Sequence, residues 1–163
     1  MPTAWKSRYA LRVQDLKSSA IRSLLKITER PEVISFAGGL PAPEVFPVQR
    51  FEEACRRVLK EHGPQALQYG ATEGYEPLRE MIAKNMLRYG IVAGAENVLI
   101  TSGSQQALDL IGKLFINSGD RIVVEAPTYL GTLQAFNVYG AQYVSVPVDE
   151  EGVRAVIVGC DTL

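Results

Sequence analysis

The first part of the chain has the hydrophobic spacing of amphipathic helices. Apolar residues recur three and four positions apart within residues 12–27, 48–61 and 75–89, which predicts three helices that each bury one face. Pro77 falls in the first turn of the third helix, where its missing N–H costs nothing, and Gly90 is placed to end that helix.

Two segments between these helices lack any helical or strand period. Residues 28–47 are rich in proline and glycine, which predicts an extended linker. Residues 69–74, which read YGATEG, predict a loop bracketed by glycines.

The pattern then changes to short strands that alternate with helices. Strands are predicted over residues 97–101, 121–125 and 142–148, and helices over residues 104–117 and 128–138. Such alternation is typical of a parallel sheet with right-handed crossovers. Ligand sites in these sheets lie at the carboxyl ends of the strands, so the loop after residues 97–101 is the first place to look for one.

Composition and charge exclude several classes of protein. The chain has 163 residues, 47% of them hydrophobic, and a formal net charge of -1 without any basic block, which disfavours nucleic-acid binding. No apolar run approaches a membrane span or a signal peptide, so a cytoplasmic protein without membrane contact is predicted. The two cysteines and the single histidine lack the spacing of metal ligands, so no metal site is predicted.

The loop that precedes the helix of residues 104–117 reads TSGSQQ. A helix N-terminus presents N–H groups that have no partner within the helix, and a phosphate suits it. The simpler interpretation is that Ser104 is only an N-cap and Gly103 only a tight turn. Neither GxxxxGK nor GxGxxG is present, which excludes the nucleoside-triphosphate loop and the dinucleotide fingerprint.

Three further stretches carry candidate binding residues. Tyr129 in EAPTYLG follows the strand of residues 121–125, and its ring could stack on a flat heterocycle. Tyr69 in LQYGATEG could offer its hydroxyl group to a phosphate. Gly38 and Gly39 in ISFAGGLP leave the backbone open to a carboxylate. For each tyrosine alone, ordinary packing is the competing interpretation.

Taken in order, ISFAGGLPAPEVFP, LQYGATEGYEPLRE, VLITSGSQQALDL and EAPTYLGTLQAF resemble the class I/II aminotransferases that depend on pyridoxal phosphate. The resemblance is to the branch with α-aminoadipate, kynurenine and aromatic aminotransferases. It implies the α/β fold of a three-layer α/β/α large domain with a mainly parallel sheet, incomplete here. It also implies an N-terminal helical arm over residues 1–47, a helical segment of the small domain over 48–66, and the cofactor-binding domain over 67–163.

The resemblance also implies a cofactor site for pyridoxal 5'-phosphate. The backbone amides of Ser104 and Gln105 would bind its phosphate, and Tyr129 would stack on its pyridine ring. Tyr69 would donate to the phosphate bound by the neighbouring subunit of a homodimer. The substrates implied are an amino acid, aromatic or aminoadipate-like, and a 2-oxo acid. Gly39 would meet the α-carboxylate of the substrate, and Arg22 would help select its side chain.

Part of the family's pattern has no counterpart in this sequence. None of the six lysines lies in a motif that resembles the Schiff-base site, so no catalytic residue is assigned. After VPVDEEG the chain continues with VRAVIVGCDTL, unlike the polar segment expected there. These two features predict a truncated N-terminal part of an aminotransferase that is catalytically incomplete.

Two alternatives to transamination stay open at this point. One is another pyridoxal-phosphate enzyme of the same fold, a β-lyase or a decarboxylase. The other is a non-catalytic, aminotransferase-like module that acts through interaction with other chains.

Overall fold

The computed structural model describes residues 5–14, 32–34, 39 and 41–153. By their internal contacts, the residues fall into two units. The sheet unit comprises Met1–Ala20 and Thr101–Leu163, and the helical unit comprises Ile21–Ile100. Each unit has buried residues of its own.

The helices and strands agree well with the hydrophobic pattern. The α-helices are α1 (Leu11–Gln14), α2 (Val48–Ala66), α3 (Glu76–Met86), α4 (Ser104–Phe115) and α5 (Leu130–Asn137). The strands are β1 (Arg121–Ala126), β2 (Gln142–Asp149) and β3 (Gly152–Val153). Short 3-10 helices lie at Trp5–Arg8, Pro43–Val45, Leu87–Tyr89 and Ala95–Asn97. Within the described residues, the predicted helices and strands are confirmed to within a few residues, with two exceptions. The strand predicted over residues 97–101 is absent, and α2 continues to Ala66 instead of ending at residue 61.

The sheet unit is built on a parallel pair of strands. β1 and β2 pair in parallel, with Arg121 opposite Gln142 and Ala126 opposite Pro147, and α5 is the crossover between them. β3 then turns back and pairs with β2 in the antiparallel direction. The parallel arrangement predicted from the alternation of strands and helices is confirmed.

The core of the sheet unit lies where α4 and α5 pack together. Ala135 and Phe136 of α5 and Val146 of β2 are buried. A β-carbon on Gly112 would lie 2.7 Å from Cδ2 of Tyr139 and 3.2 Å from Cδ1 of Phe136, so only glycine lets the two helices approach this closely.

Two tyrosine hydroxyl groups fasten α5 to its neighbours. Tyr139 donates to Oδ1 of Asp109 on α4 at 2.9 Å, and this hydrogen bond to a carboxylate is the main reason that the pKa of Tyr139 is raised. The hydroxyl group of Tyr143 on β2 lies 3.0 Å from the Leu133 carbonyl and 2.9 Å from Oδ1 of Asn137. Burial raises the pKa of Tyr143.

The helical unit is held together differently. α2 continues past the predicted end and is kinked at His62, two residues before Pro64, which cannot donate to the helix. α3 passes into the 3-10 helix Leu87–Tyr89 and ends at Gly90 with φ 74°, as predicted. The guanidinium group of Arg79 donates to the carbonyl groups of Ala95 and Val98 at 2.7–3.1 Å.

The strand predicted over residues 97–101 is wrong. Asn97 ends a 3-10 helix, and Val98 follows with extended backbone that is not part of a ladder. The Val98 carbonyl accepts from Nε of Arg79 at 2.9 Å, and the N–H of Ile100 donates to the Glu73 carbonyl at 2.9 Å. No strand of the described residues pairs with this segment, so its extended backbone is held by a side chain and a loop instead.

Some expectations fall on parts of the chain that the structure does not describe. Of the helix predicted over residues 12–27, only residues 12–14 are described, within α1, and the remainder lies outside the described residues. The domain boundaries implied by the resemblance stay predictions. Among the described residues, no helix has both the length and the apolar character needed to cross a membrane.

Candidate functional site

The loop TSGSQQ forms the start of α4, and glycine is its N-cap. Gly103 has φ 83° and ψ 170°, a conformation that is essentially restricted to glycine. Ser104 is the first residue of the helix, so the interpretation of Ser104 as an N-cap is wrong. As a glycine, Gly103 has no side chain with which to cap α4.

Two side chains shape this loop from within. The hydroxyl group of Thr101 donates to the Gly103 carbonyl at 3.2 Å, and the Gln106 side-chain oxygen accepts from the N–H of Ser102. Among the residues that the structure describes, none accepts from the N–H of Ser104 or Gln105. The positive end of the α4 dipole therefore presents two free donors, which is the arrangement that binds a phosphate.

Tyr129 lies close to this loop in the chain's fold. It follows β1 and the cis Ala126–Pro127 peptide bond, and it is the N-cap of α5. Its side chain is largely exposed, at 62%. The part of its ring around Cζ and Oη lies directly against Gly131.

Gln105 connects the two helix starts. Its Nε2 donates to the Gly131 carbonyl at 3.4 Å, a long hydrogen bond. Gln105, whose backbone N–H is one of the two free donors, therefore also touches the first turn of α5, beside Tyr129. Within the sheet unit, Gln105 is thus linked through Gly131 to Tyr129, and Ser104 precedes Gln105 in α4; the cofactor-binding roles of Ser104, Gln105 and Tyr129 stay predictions.

The other predicted site residues are Tyr69, Gly39 and Arg22, none of which is a described residue of the sheet unit. Tyr69 and Gly39 belong to the helical unit, and Arg22 lies outside the described residues. Tyr69 is 99% exposed in a loop without regular structure, and only its backbone N–H is bonded, to Oε1 of Gln68 at 2.8 Å. The roles of these three residues stay predictions.

The sequence interpretation missed three residues that shape the site: Thr101, Gln106 and Gly131. Thr101 and Gln106 bond the loop backbone through their side chains, which periodicity does not reveal. Gly131 stands two residues after Tyr129 in PTYLG, and a glycine in the first turn of a helix is a signal that could have been read, because it lowers helix propensity without an obvious gain.

The helical unit also contains an open cavity of about 830 Å³. Its lining includes His62, Tyr75, Pro77 and Arg79. The guanidinium group of Arg79 is already engaged by the carbonyl groups of Ala95 and Val98. The cavity therefore does not extend the candidate site.

The family model for aminotransferase class I and II matches residues 32–158 of the chain. The chain belongs to this family. Class I/II aminotransferases share the α/β fold predicted from the sequence, and a solved member shows how closely this chain follows it. A kynurenine aminotransferase from Pyrococcus horikoshii superposes with a TM-score of 0.85 at 45% identity, over 95% of this chain and 38% of that one. The predicted fold class is confirmed.

Two curated members of the class I/II aminotransferase family indicate the branch. An aromatic-amino-acid aminotransferase from Thermococcus litoralis is 56% identical over 140 residues, which cover 85% of this chain and 34% of that protein. A 2-aminoadipate transaminase from Thermus thermophilus is 48% identical over 151 residues, which cover 93% of this chain and 37% of that protein. The chain thus spans about a third of the length of the curated relatives that it matches.

Proposed function

We propose that this chain forms part of the pyridoxal 5'-phosphate site of an aminotransferase that acts on aromatic or aminoadipate-like amino acids and a 2-oxo acid. One observation carries the proposal: the start of α4 is linked to Tyr129, because the Gln105 side chain bonds to the Gly131 carbonyl and the exposed Tyr129 ring lies against Gly131. Donors for a phosphate and a ring for a heterocycle are the two features that this cofactor requires.

The start of α4 supplies the phosphate contacts. A phosphate that accepts from the N–H groups of Ser104 and Gln105 gains two charge-assisted hydrogen bonds and the field of the helix dipole. Gly103 makes this possible, because its positive φ brings the chain into the helix without a side-chain cap that would occupy the donors.

Tyr129 supplies the stacking surface. When bound, pyridoxal phosphate supplies an electron sink for the charge that develops at the substrate α-carbon. Ser104 and Gln105 would hold the phosphate of the cofactor and Tyr129 would hold its ring, which would restrict the orientation of that ring. No lysine of this chain is assigned a role in proton transfer.

The substrate and dimer contacts come from the resemblance and from the relatives. The P. horikoshii enzyme was solved with PMP, kynurenine and its product, and the two curated relatives are named for aromatic and aminoadipate substrates. We assign Gly39 to the substrate α-carboxylate and Arg22 to the side chain. Tyr69 donates to the phosphate of the neighbouring subunit in a homodimer, and its 99% exposure supports a contact outside its own unit.

The backbone donor at Ser104 can be tested without disturbing the helix. Proline is favoured at the first helical position, so Ser104→Pro removes one N–H while α4 is kept. The matched control is Ser104→Ala, which removes only the hydroxyl group. Pyridoxine 5'-phosphate is a suitable ligand because it has no aldehyde and cannot react with lysines, and pyridoxine is the same ring without the phosphate.

We expect Ser104→Pro to weaken pyridoxine 5'-phosphate binding about ten- to hundredfold, which corresponds to one charge-assisted hydrogen bond. Pyridoxine binding should not change, and Ser104→Ala should change either affinity by much less. Equilibrium dialysis measures both ligands. Equal binding of pyridoxine 5'-phosphate by the proline variant and the unaltered chain would contradict the assigned phosphate site.

A further inference from the structure

Gly131 occupies a position in the sheet unit where no side chain fits beside Tyr129. A β-carbon placed on Gly131 would lie 2.6 Å from Cζ and 2.8 Å from Oη of the tyrosine. A β-carbon does not approach non-bonded heavy atoms this closely, so any larger residue at position 131 would force one of the two groups to move. Gly131 itself is buried, whereas Tyr129 stays largely exposed.

The comparison with Gly112 shows which group would move. At Gly112 the clashing ring belongs to Tyr139, whose hydroxyl group is bonded to Asp109, and buried Phe136 lies close by. An alanine there has to strain the α4–α5 contact. At Gly131 the clashing atoms are the free end of an exposed side chain, which can swing away at little cost.

Gln105 fixes the other side of this arrangement. Its Nε2 reaches the Gly131 carbonyl at 3.4 Å, so the backbone at position 131 is tied to the start of α4. The start of α4 is therefore connected to the backbone of Gly131, and the backbone of Gly131 is in contact with the Tyr129 ring.

From these contacts we infer that Gly131 is a positioning residue that sets the orientation of the Tyr129 ring relative to the phosphate-binding start of α4. This inference rests on the proposed function for its cofactor. The absence of a side chain at position 131 lets the ring lie over the first turn of α5. A methyl group there leaves the phosphate donors intact and misplaces only the stacking surface.

The variant that tests this is Gly131→Ala, and Gly63→Ala is its control. A β-carbon on Gly63 meets no described atom within 4 Å, and Gly63 has no positive φ, so the control adds the same methyl group inside a helix without a clash. Tyrosine labelled with ¹³C in the ring gives the position readout, with the Tyr129 resonances assigned from Tyr129→Phe. Denaturant unfolding checks that both variants are folded.

We expect Gly131→Ala to shift the Tyr129 ring resonances and to weaken pyridoxine 5'-phosphate binding about three- to tenfold, the range that aromatic stacking accounts for. Binding of inorganic phosphate should be unchanged, because it uses only the α4 donors. Gly63→Ala should alter none of these quantities.

A double-variant cycle separates positioning from a general structural effect. If Gly131 acts through the ring, Gly131→Ala should cause no further loss of pyridoxine 5'-phosphate affinity in a Tyr129→Ala background. The inference is overturned if the loss is the same in both backgrounds, or if the Tyr129 resonances do not move. The proposed function fails separately if the unaltered chain does not prefer pyridoxine 5'-phosphate to inorganic phosphate, and the ring resonances then still decide whether Gly131 positions Tyr129.

Discussion

The starts of α3 and α4 look alike in the sequence and differ in how their N–H groups are used. At α3 the carbonyl group of the N-cap, Tyr75, accepts from the N–H groups of Leu78 and Arg79, both at 3.1 Å, and Pro77 has no N–H to satisfy. At α4 the carbonyl group of Gly103 accepts from the Thr101 hydroxyl group. No described residue accepts from the first two N–H groups of α4.

This difference separates a structural helix start from one that is suited to a ligand. Of the first two residues of α3, Pro77 has no N–H, so only Glu76 offers a donor there, whereas Ser104 and Gln105 both offer one at α4. The Arg79 side chain of α3 binds further carbonyl groups of the protein. α4 begins with a glycine at positive φ and keeps its donors for a partner outside the helix. The distinction lies in the N-cap and the first turn, with Tyr75 and Pro77 at α3 and Gly103, Ser104 and Gln105 at α4.

The largest effect on stability should come from removing the hydrogen bonds that Arg79 of α3 makes. Arg79→Met removes hydrogen bonds from a guanidinium group to the carbonyl groups of Ala95 and Val98, and we expect a loss of about 3 kcal/mol in the free energy of unfolding. Arg79→Lys keeps the positive charge but replaces the planar guanidinium group, and it should lose less free energy of unfolding than Arg79→Met. Urea unfolding measures both variants, and a methionine variant as stable as the unaltered chain would contradict the role of Arg79.

The next largest effect concerns the N-cap of α4. Gly103→Ala places a β-carbon at φ 83° and ψ 170°, which costs about 2 kcal/mol if the loop keeps its shape. We expect the loop to rearrange in part and pyridoxine 5'-phosphate binding to weaken about tenfold or more, as measured by equilibrium dialysis. Gly90→Ala is the control, since Gly90 also has a positive φ but lies in the helical unit. It should lower stability and leave binding unchanged.

A smaller effect is expected at the first turn of α3. Pro77→Ala frees the unfolded chain and should destabilise the protein by about 0.5 kcal/mol, without any effect on ligand binding. Ser104→Pro makes the opposite change at α4, so it should keep or slightly raise stability while it weakens phosphate binding. If Ser104→Pro lowers the free energy of unfolding as much as it lowers the free energy of pyridoxine 5'-phosphate binding, the N–H of Ser104 is not free in the protein.

The smallest effect is a dependence on pH in the contact that fastens α4 to α5. The hydrogen bond from Tyr139 to Asp109 raises the pKa of Tyr139, so its stabilising contribution is complete below the unfolded value of about 10 and is lost as pH rises through the folded value. Unfolding measured at about pH 8 and about pH 11 should therefore show a larger decrease for the unaltered chain than for Tyr139→Phe. Equal decreases would contradict the stabilising role of the Tyr139–Asp109 hydrogen bond. Tyr143 is present in both proteins, so its own titration contributes equally to both decreases.

The sequence predicts what depends on local pattern and misses what depends on partners. The amphipathic period located α2 to α5, and the alternation of strands and helices predicted the parallel pairing of β1 with β2. The strand over residues 97–101 failed because a strand is defined by its ladder, and Arg79 and Glu73 take the groups of Val98 and Ile100 that a ladder would use.

The candidate site divides in the same way. Ser104, Gln105 and Tyr129 could be named from motifs, because each lies in the first turn of a predicted helix. Gly131 and Thr101 could not, because their roles depend on a ring position and a carbonyl direction that only three-dimensional geometry shows.

The crossover through α5 has a consequence for how the protein is made. β1, α5 and β2 all lie within residues 121–149, and the N–H of Gly119 bonds to the Gly140 carbonyl at 2.9 Å, just ahead of the paired strands. Their mutual contacts therefore have short sequence separation, which favours rapid closure for a parallel pair. All the residues that make these contacts have left the ribosome once Asp149 has emerged, so none of the contacts has to wait for a later segment.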